Sequence, residues 1–240
     1  MALRSLLLIV ACSLVTFPYR SLSLPANDPL SLDPTASKSS KTTENVHTQY
    51  TNLPYPPRRP SDELDRLLSD VSPAYLDFFA LGKRTMTMPL SSSPAGPARI
   101  LAAGGGTGDM VVFLAEICAR FVSEEYPYRC GGREGVELYH LDLSEASINI
   151  ARERLEARNL PEAGTTVTFL QGSLLDLESA AGRKKLGLPE DVEFDLINSS
   201  GVLHHLSSPV QGLRALNSVL KDGGGMFIMV YGSHGRTGVY

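Results

Sequence analysis

The strongest constraint on this chain is a single turn, the string AAGGGTGD at positions 102–109. Residues 99–103 before it read as a short strand. Behind it Met110, Phe113, Leu114, Ile117, Cys118 and Phe121 recur at helical spacing. Glycines let the backbone bend sharply and let a ligand approach without a Cβ in the way. A glycine turn from a strand into a helix belongs at the carboxyl edge of an open parallel sheet.

The rest of the chain repeats that alternation. Residues 136–141, 166–171, 194–199 and 226–231 are expected as strands. Helices are expected from Ser144 to about residue 158 and over 209–220, with a short one at 178–185. Strands separated by helices imply right-handed crossovers and a mostly parallel, Rossmann-like α/β sheet.

The glycines fall at Gly104, Gly106 and Gly108, and position 109 is Asp109. A dinucleotide fingerprint places its last glycine at that position and leaves helix N–H groups free for pyrophosphate. Asp109 is expected to repel such an anion, which favours a ligand without phosphates. Asp142 ends the second strand, where a carboxylate can accept from both ribose hydroxyls. The other reading is that it caps the following helix. Residues 124–135 lengthen the spacing from the glycines beyond the usual twenty or so, which an insertion loop explains.

These strings, taken in order, resemble class I S-adenosylmethionine-dependent methyltransferases. ILAAGGGTGD looks like their first motif and LYHLDLS like the acidic second. VTFLQGSLLDL, FDLINSSGVLHHLSSP and KDGGGMFIMVYG resemble the later segments, so the likeness covers residues 99–232. NLPYPPRRPSDE and GRTGVY also resemble a little-characterised branch of the same superfamily.

The resemblance implies S-adenosylmethionine as cofactor and a small-molecule methyl acceptor. Gly104, Gly106 and Gly108 would line the methionine part, and Asp142 would hold the ribose. Leu143 would pack on the adenine, with Ser173 and Leu174 by its ring edge, and Ser199 and Ser200 would lie beneath the sulfonium. Two positions depart from the family pattern: Ala102 stands where an acid is common, and Ser173 where an acid meets the adenine. His204 and His205 are the candidates for a base, against the alternative that one is packed and the other solvated. A nicotinamide-dependent, NAD(P)-binding oxidoreductase and a non-catalytic domain of the same fold remain as alternatives. No metal site is expected, for want of ligands at a recognisable spacing.

The bulk properties narrow the partners. A formal net charge of −4 and the lack of a long basic run argue against nucleic acid. The sequence following Asn198 lacks the Asn-Pro-Pro-Tyr type signature of enzymes that methylate nucleic-acid amines. Residues 1–23 read as a cleavable leader: a positive start, an apolar run over 6–15 and the small-x-small site Ser21-Leu22-Ser23. That run is too short to span a bilayer. The leader implies the secretory pathway or an organelle, and the cytoplasm if it is not used. Residues 24–52 carry Ser, Thr, Pro and Asn without apolar period and are expected to be disordered.

Residues 53–98 form a proline-rich and helical cap segment ahead of the domain at 99–240. Its opening, NLPYPPRRP, is read as a stiff spacer or an SH3-type ligand, and Ser61 as a helix cap. Cys118 is expected to pack as a small apolar group, with no disulfide framework legible among three cysteines. The chain stops soon after the fifth strand, whereas the resemblance implies two more. The sheet is therefore expected to be truncated, leaving residues 226–231 as an exposed apolar edge that needs a partner or a missing segment.

Overall fold

The computed structural model describes residues 8–10, 36–65, 97–120, 136–159 and 165–231. Along the first strand of the expected domain, β-pleat alternation sorts side chains to two faces. Ala98, Ile100 and Ala102 join Met110, Leu114 and Leu138 in one apolar core. Leu101 and Ala103 point the other way, into a second core with Leu141, Ile197 and Leu216. A strand buried on both faces is what a parallel sheet between helix layers requires.

The strands are β1 (Leu8–Val10), β2 (Ala98–Ala103), β3 (Val136–Asp142), β4 (Thr165–Gln171), β5 (Phe194–Ser200) and β6 (Leu220–Met229). The sheet order is β1-β6-β5-β2-β3-β4, and every pairing is parallel. The order reverses at β2, which is flanked by β3 and β5. The expected α/β Rossmann-like architecture is therefore present. Helices α2 (Asp109–Arg120) and α3 (Glu145–Ala157) follow β2 and β3 in the chain. α4 (Ala180–Lys185) and α5 (Pro209–Ser218) precede β5 and β6. Ser144 caps α3 by accepting from Ser147 N, and Ser208 caps α5 by accepting from Gln211 N.

Four expectations change. The fifth core strand begins at Leu220, where the helix was expected to end and six residues ahead of the expected strand start, because Leu220 pairs with Phe194 across a register shift. The edge of that strand is not bare over Met226, Phe227 and Ile228, which pair with Leu8, Ile9 and Val10 of the apolar N-terminal run. Residues Ala36–Asn52, read as disordered, form helix α1. Cys118 is buried but disulfide-bonded. Ser61 lies within a 3-10 turn, Pro60–Asp65, rather than ahead of it; the rest of the helix expected there, and the insertion at 124–135, lie outside the described residues. Among the described residues no helix is long and apolar enough to cross a membrane.

Candidate functional site

A cavity of about 860 Å³ opens at the carboxyl ends of the strands, where the sheet order reverses. This is where open α/β sheets take ligands. Gly104, Gly105 and Gly106 form its floor, beside Asp142 and Leu143 at the end of β3. Ser173 and Leu174 follow β4 into it, and Asn198, Ser200 and Gly201 close the side at β5.

The glycine turn is anchored to the neighbouring strand. Gly104 N–H and Gly105 N–H both donate to Leu141 O, at 2.8 and 3.1 Å. Positive φ of 55° at Gly106 and 95° at Gly108 is backbone that L side chains rarely adopt. The turn is also hemmed in by protein. A Cβ at Gly104 would meet Val202, one at Gly106 the carbonyl oxygen of Tyr55, and one at Gly108 the Cβ of Ala151. The glycines thus serve close packing as much as ligand approach. Gly108 does not line the cavity; it is the contact point between the start of α2 and helix α3.

Asp142 has both carboxylate oxygens on backbone donors: Oδ2 accepts from Gly106 N–H and Oδ1 from Ser144 N–H, each at 2.8 Å. Burial pushes its pKa up, and the N–H groups of Ser144, Gly106 and Leu143 work against that shift. The helix cap proper is Ser144, so Asp142 braces the turn and faces the cavity rather than capping α3. Ser173 spends its hydroxyl on Leu175 N in a capping box with Asp176, while still lining the wall. Ser147 also lines the cavity, with a buried hydroxyl that has no hydrogen-bond partner among the described residues.

Strand parity separates the two serines of β5. Ser200 and Asn198 face the cavity, while Ser199 between them is fully buried and does not line it. Ser199 therefore sits in the interior rather than at the cavity wall, where Asn198 stands instead. The histidines part company too. His205 lines the cavity with Nε2 at 3.0 Å from the Tyr50 hydroxyl, and burial lowers its pKa. His204 does not line it; its ring packs 4.4 Å from that of Tyr231. Burial raises the Tyr50 pKa, with smaller contributions from Tyr231, Asp142 and Tyr55, so the phenol stays protonated. Among the described residues no His, Cys, Asp and Glu cluster could hold a metal ion.

The N-terminal segment supplies the wall that the sequence reading missed. Val46, Gln49, Tyr50 and Leu53 stand at i, i+3, i+4 and i+7 along α1 and beyond, all facing the cavity. That stripe was the available signal, hidden in a mostly polar helix. Past it, the chain crosses the glycine turn as a strap. Thr107 N–H donates to Tyr55 O at 3.3 Å, and the Thr107 hydroxyl donates to Pro56 O at 2.6 Å. The segment is therefore a cover rather than a spacer.

Ion pairs fasten the strap down. Arg58 grips Asp109 with two hydrogen bonds, of 2.9 and 2.6 Å. Arg154 of α3, fully buried, grips Glu63 at 2.6 and 3.0 Å. Its remaining nitrogen donates to Thr107 O at 2.6 Å and to Asp109 at 2.8 Å. Arg158 adds a bond to Glu63 at 3.0 Å and pairs with Glu116. Asp109 is thus engaged by two arginines, so its charge alone no longer argues against a phosphate at the turn.

Residues 101–226 match the sequence profile of a family described as "Methyltransferase domain". An uncharacterized protein of a Synechococcus species is 34% identical over 142 residues, covering 59% of this chain. The chain spans 27% of that relative's length. A Thiobacillus denitrificans methyltransferase solved with S-adenosyl-L-homocysteine aligns over 70% of this chain and 52% of its own, at 20% identity and TM-score 0.39. A putative S-adenosyl-L-methionine-dependent methyltransferase from Methanococcus maripaludis aligns over 80% and 64%, at 16% identity and TM-score 0.40.

Two predictions concern the strap. Replacing Arg154 with Met leaves the buried Glu63 carboxylate with Arg158 as its charged partner and takes the donor from Thr107 O, and is expected to cost about 3 kcal/mol in denaturant unfolding. The pair Glu63→Gln, Arg154→Met is expected to recover much of that loss; a single-variant loss below about 1 kcal/mol would contradict the account. The second concerns acid. Burial raises the Glu63 and Asp109 carboxyls, but their arginine partners outweigh it and hold both below the usual carboxylate range. Groups depressed in the folded state contribute stability above their unfolded pKa, about 4, and lose it as pH falls through the folded values. Hydrogen-exchange protection in residues 55–63, taken relative to the intrinsic rate at each pH, should therefore fall below about pH 4, and protection unchanged into stronger acid would count against these pairs.

Proposed function

The chain belongs to the methyltransferase-domain family, and on that premise we propose that it binds S-adenosylmethionine in this cavity and transfers a methyl group to a small-molecule acceptor. The observation that carries the reading is the Asp142 carboxylate at the cavity wall, next to a glycine turn, with apolar side chains on either side. When bound, S-adenosylmethionine supplies a methyl group on a positively charged sulfur. The residues present suit it. Asp142 would take the ribose hydroxyls, and Leu143 and Leu174 would flank the adenine, with Ser173 by its edge. Gly104 and Gly106 would run beside the methionine portion, and Asn198 and Ser200 would lie toward the sulfur. The orphan Ser147 hydroxyl offers one further polar contact.

The chain's own contribution is alignment and exclusion of water, which can supply several kcal/mol by proximity. The strap and the Tyr50–Leu53 region of the chain cover the opening, and Asn198 and Ser200 define the far wall. His205 is the proton acceptor of the reading. Its lowered pKa keeps it neutral at pH 7, the residue lines the cavity, and its Nε2 has the Tyr50 hydroxyl already at hydrogen-bond distance. An acceptor hydroxyl or amine in that place would give its proton to His205 Nε2.

Calorimetry with S-adenosylhomocysteine tests the binding half of this. The wild type is expected to bind with 1:1 stoichiometry, and Asp142→Ala to bind at least about tenfold more weakly in a folded protein, since charge-assisted hydrogen bonds are lost. Unchanged affinity would defeat the assignment. For the chemical half, His205→Ala is expected to lower turnover by about a hundredfold or more while cofactor affinity moves less than about threefold. A matched fall in both would make His205 a binding group instead.

A further inference from the structure

Strand β3 presents two polar side chains to the glycine turn, not one. His140 and Asp142 stand two residues apart, so they leave the same face of the strand. Asp142 Oδ2 accepts from the N–H of Gly106 at 2.8 Å, and His140 Nε2 lies 3.1 Å from the carbonyl oxygen of the same residue. A carbonyl can only accept, so Nε2 carries the proton. Nδ1 is then a bare acceptor, and it has no hydrogen-bond partner among the described residues.

The surroundings are shaped for this ring. Ala102 is the register partner of His140 on β2, and its small side chain leaves room beside the imidazole. A Cβ at Gly105 would sit 2.3 Å from His140 Cε1, so the turn must carry a glycine there to admit the ring. His140 is fully buried, and burial lowers its pKa to about 4, so it is neutral. A position needing only volume would be served better by an apolar side chain, because a buried unsatisfied nitrogen is destabilising. The hydrogen bond to the turn is what a hydrocarbon could not supply.

We propose that His140 is a positioning residue for the cofactor site: with Asp142 it clasps both ends of Gly106 and fixes the turn that floors the cavity. The inference rests on the reading of that cavity as the S-adenosylmethionine site. It adds a residue that does not itself line the cavity and acts only through the turn.

Two measurements test it together. In the ligand-free protein, ¹⁵N spectra of labelled histidine should show His140 as the Nε2–H tautomer, without titration above about pH 5. The Nδ1–H tautomer, or ordinary titration near pH 6.5, would overturn the clasp. Calorimetry with S-adenosylhomocysteine then compares His140→Phe, which keeps a ring without a donor, with His140→Gln, which keeps a donor near Nε2. His140→Phe is expected to bind about tenfold more weakly while its unfolding midpoint stays level or rises, and His140→Gln to stay within about threefold of the wild type. Equal affinity in all three proteins would overturn the proposal. A wild type that fails to bind would defeat the cofactor reading, and with it the role in cofactor binding, while the tautomer spectrum still decides whether the clasp exists; that spectrum needs no variant to fold.

Discussion

The buried guanidinium of Arg154 is the interaction on which the rest of the site depends. It has no exposure to solvent, and its donors reach Glu63 of the N-terminal segment, the Thr107 carbonyl of the glycine turn and Asp109 at the start of α2. A charge in that position is tolerable only when its partners are complete. One side chain of α3 therefore obliges three chain segments to meet at a single point. Asp109 and Glu63 then recruit Arg58 and Arg158, and the strap becomes part of the domain.

Around that anchor the turn is held from every side. Leu141 O receives the N–H groups of Gly104 and Gly105, Asp142 and His140 take the two ends of Gly106, and the strap lies across Thr107. A site whose ligand is to be held for an in-line displacement benefits from such a frame, because catalysis by alignment is sensitive to small displacements. The cover is charged at its fastening, and Val46, Leu53 and Pro56 give apolar surface where it faces the cavity. That division lets it shed water from the cavity while remaining attached through charge.

Much of this was legible in the sequence, and the parts that were not share a cause. Strand and helix alternation, the glycine turn, the strand-end position of Asp142 and the helix start at Ser144 are local patterns, each decided within a few residues. The pairing of Glu63 with Arg154 spans 91 positions, and no local pattern announces it. The stripe Val46, Tyr50, Leu53 was present but diluted by Thr, Gln and Asn, so the helix read as polar chain. Assigning Ser199 beside Ser200 overlooked strand parity, which the sequence already contained. The pairing of Leu8–Val10 with β6 was invisible because a leader and an edge strand carry the same apolar signature. His140 sat unremarked between two apolar neighbours, its partner a backbone carbonyl that sequence does not display.

The central claim is that the turn after β2 and the carboxylate closing β3 converge on a ribose beneath the N-terminal strap. A crystal structure of the protein soaked with S-adenosylhomocysteine tests it most directly. The account requires the ribose hydroxyls on Asp142, the adenine between Leu143 and Leu174, and residues 55–58 still folded over the turn. A ligand lodged elsewhere, or one whose ribose points away from Asp142 with the strap displaced, would contradict it.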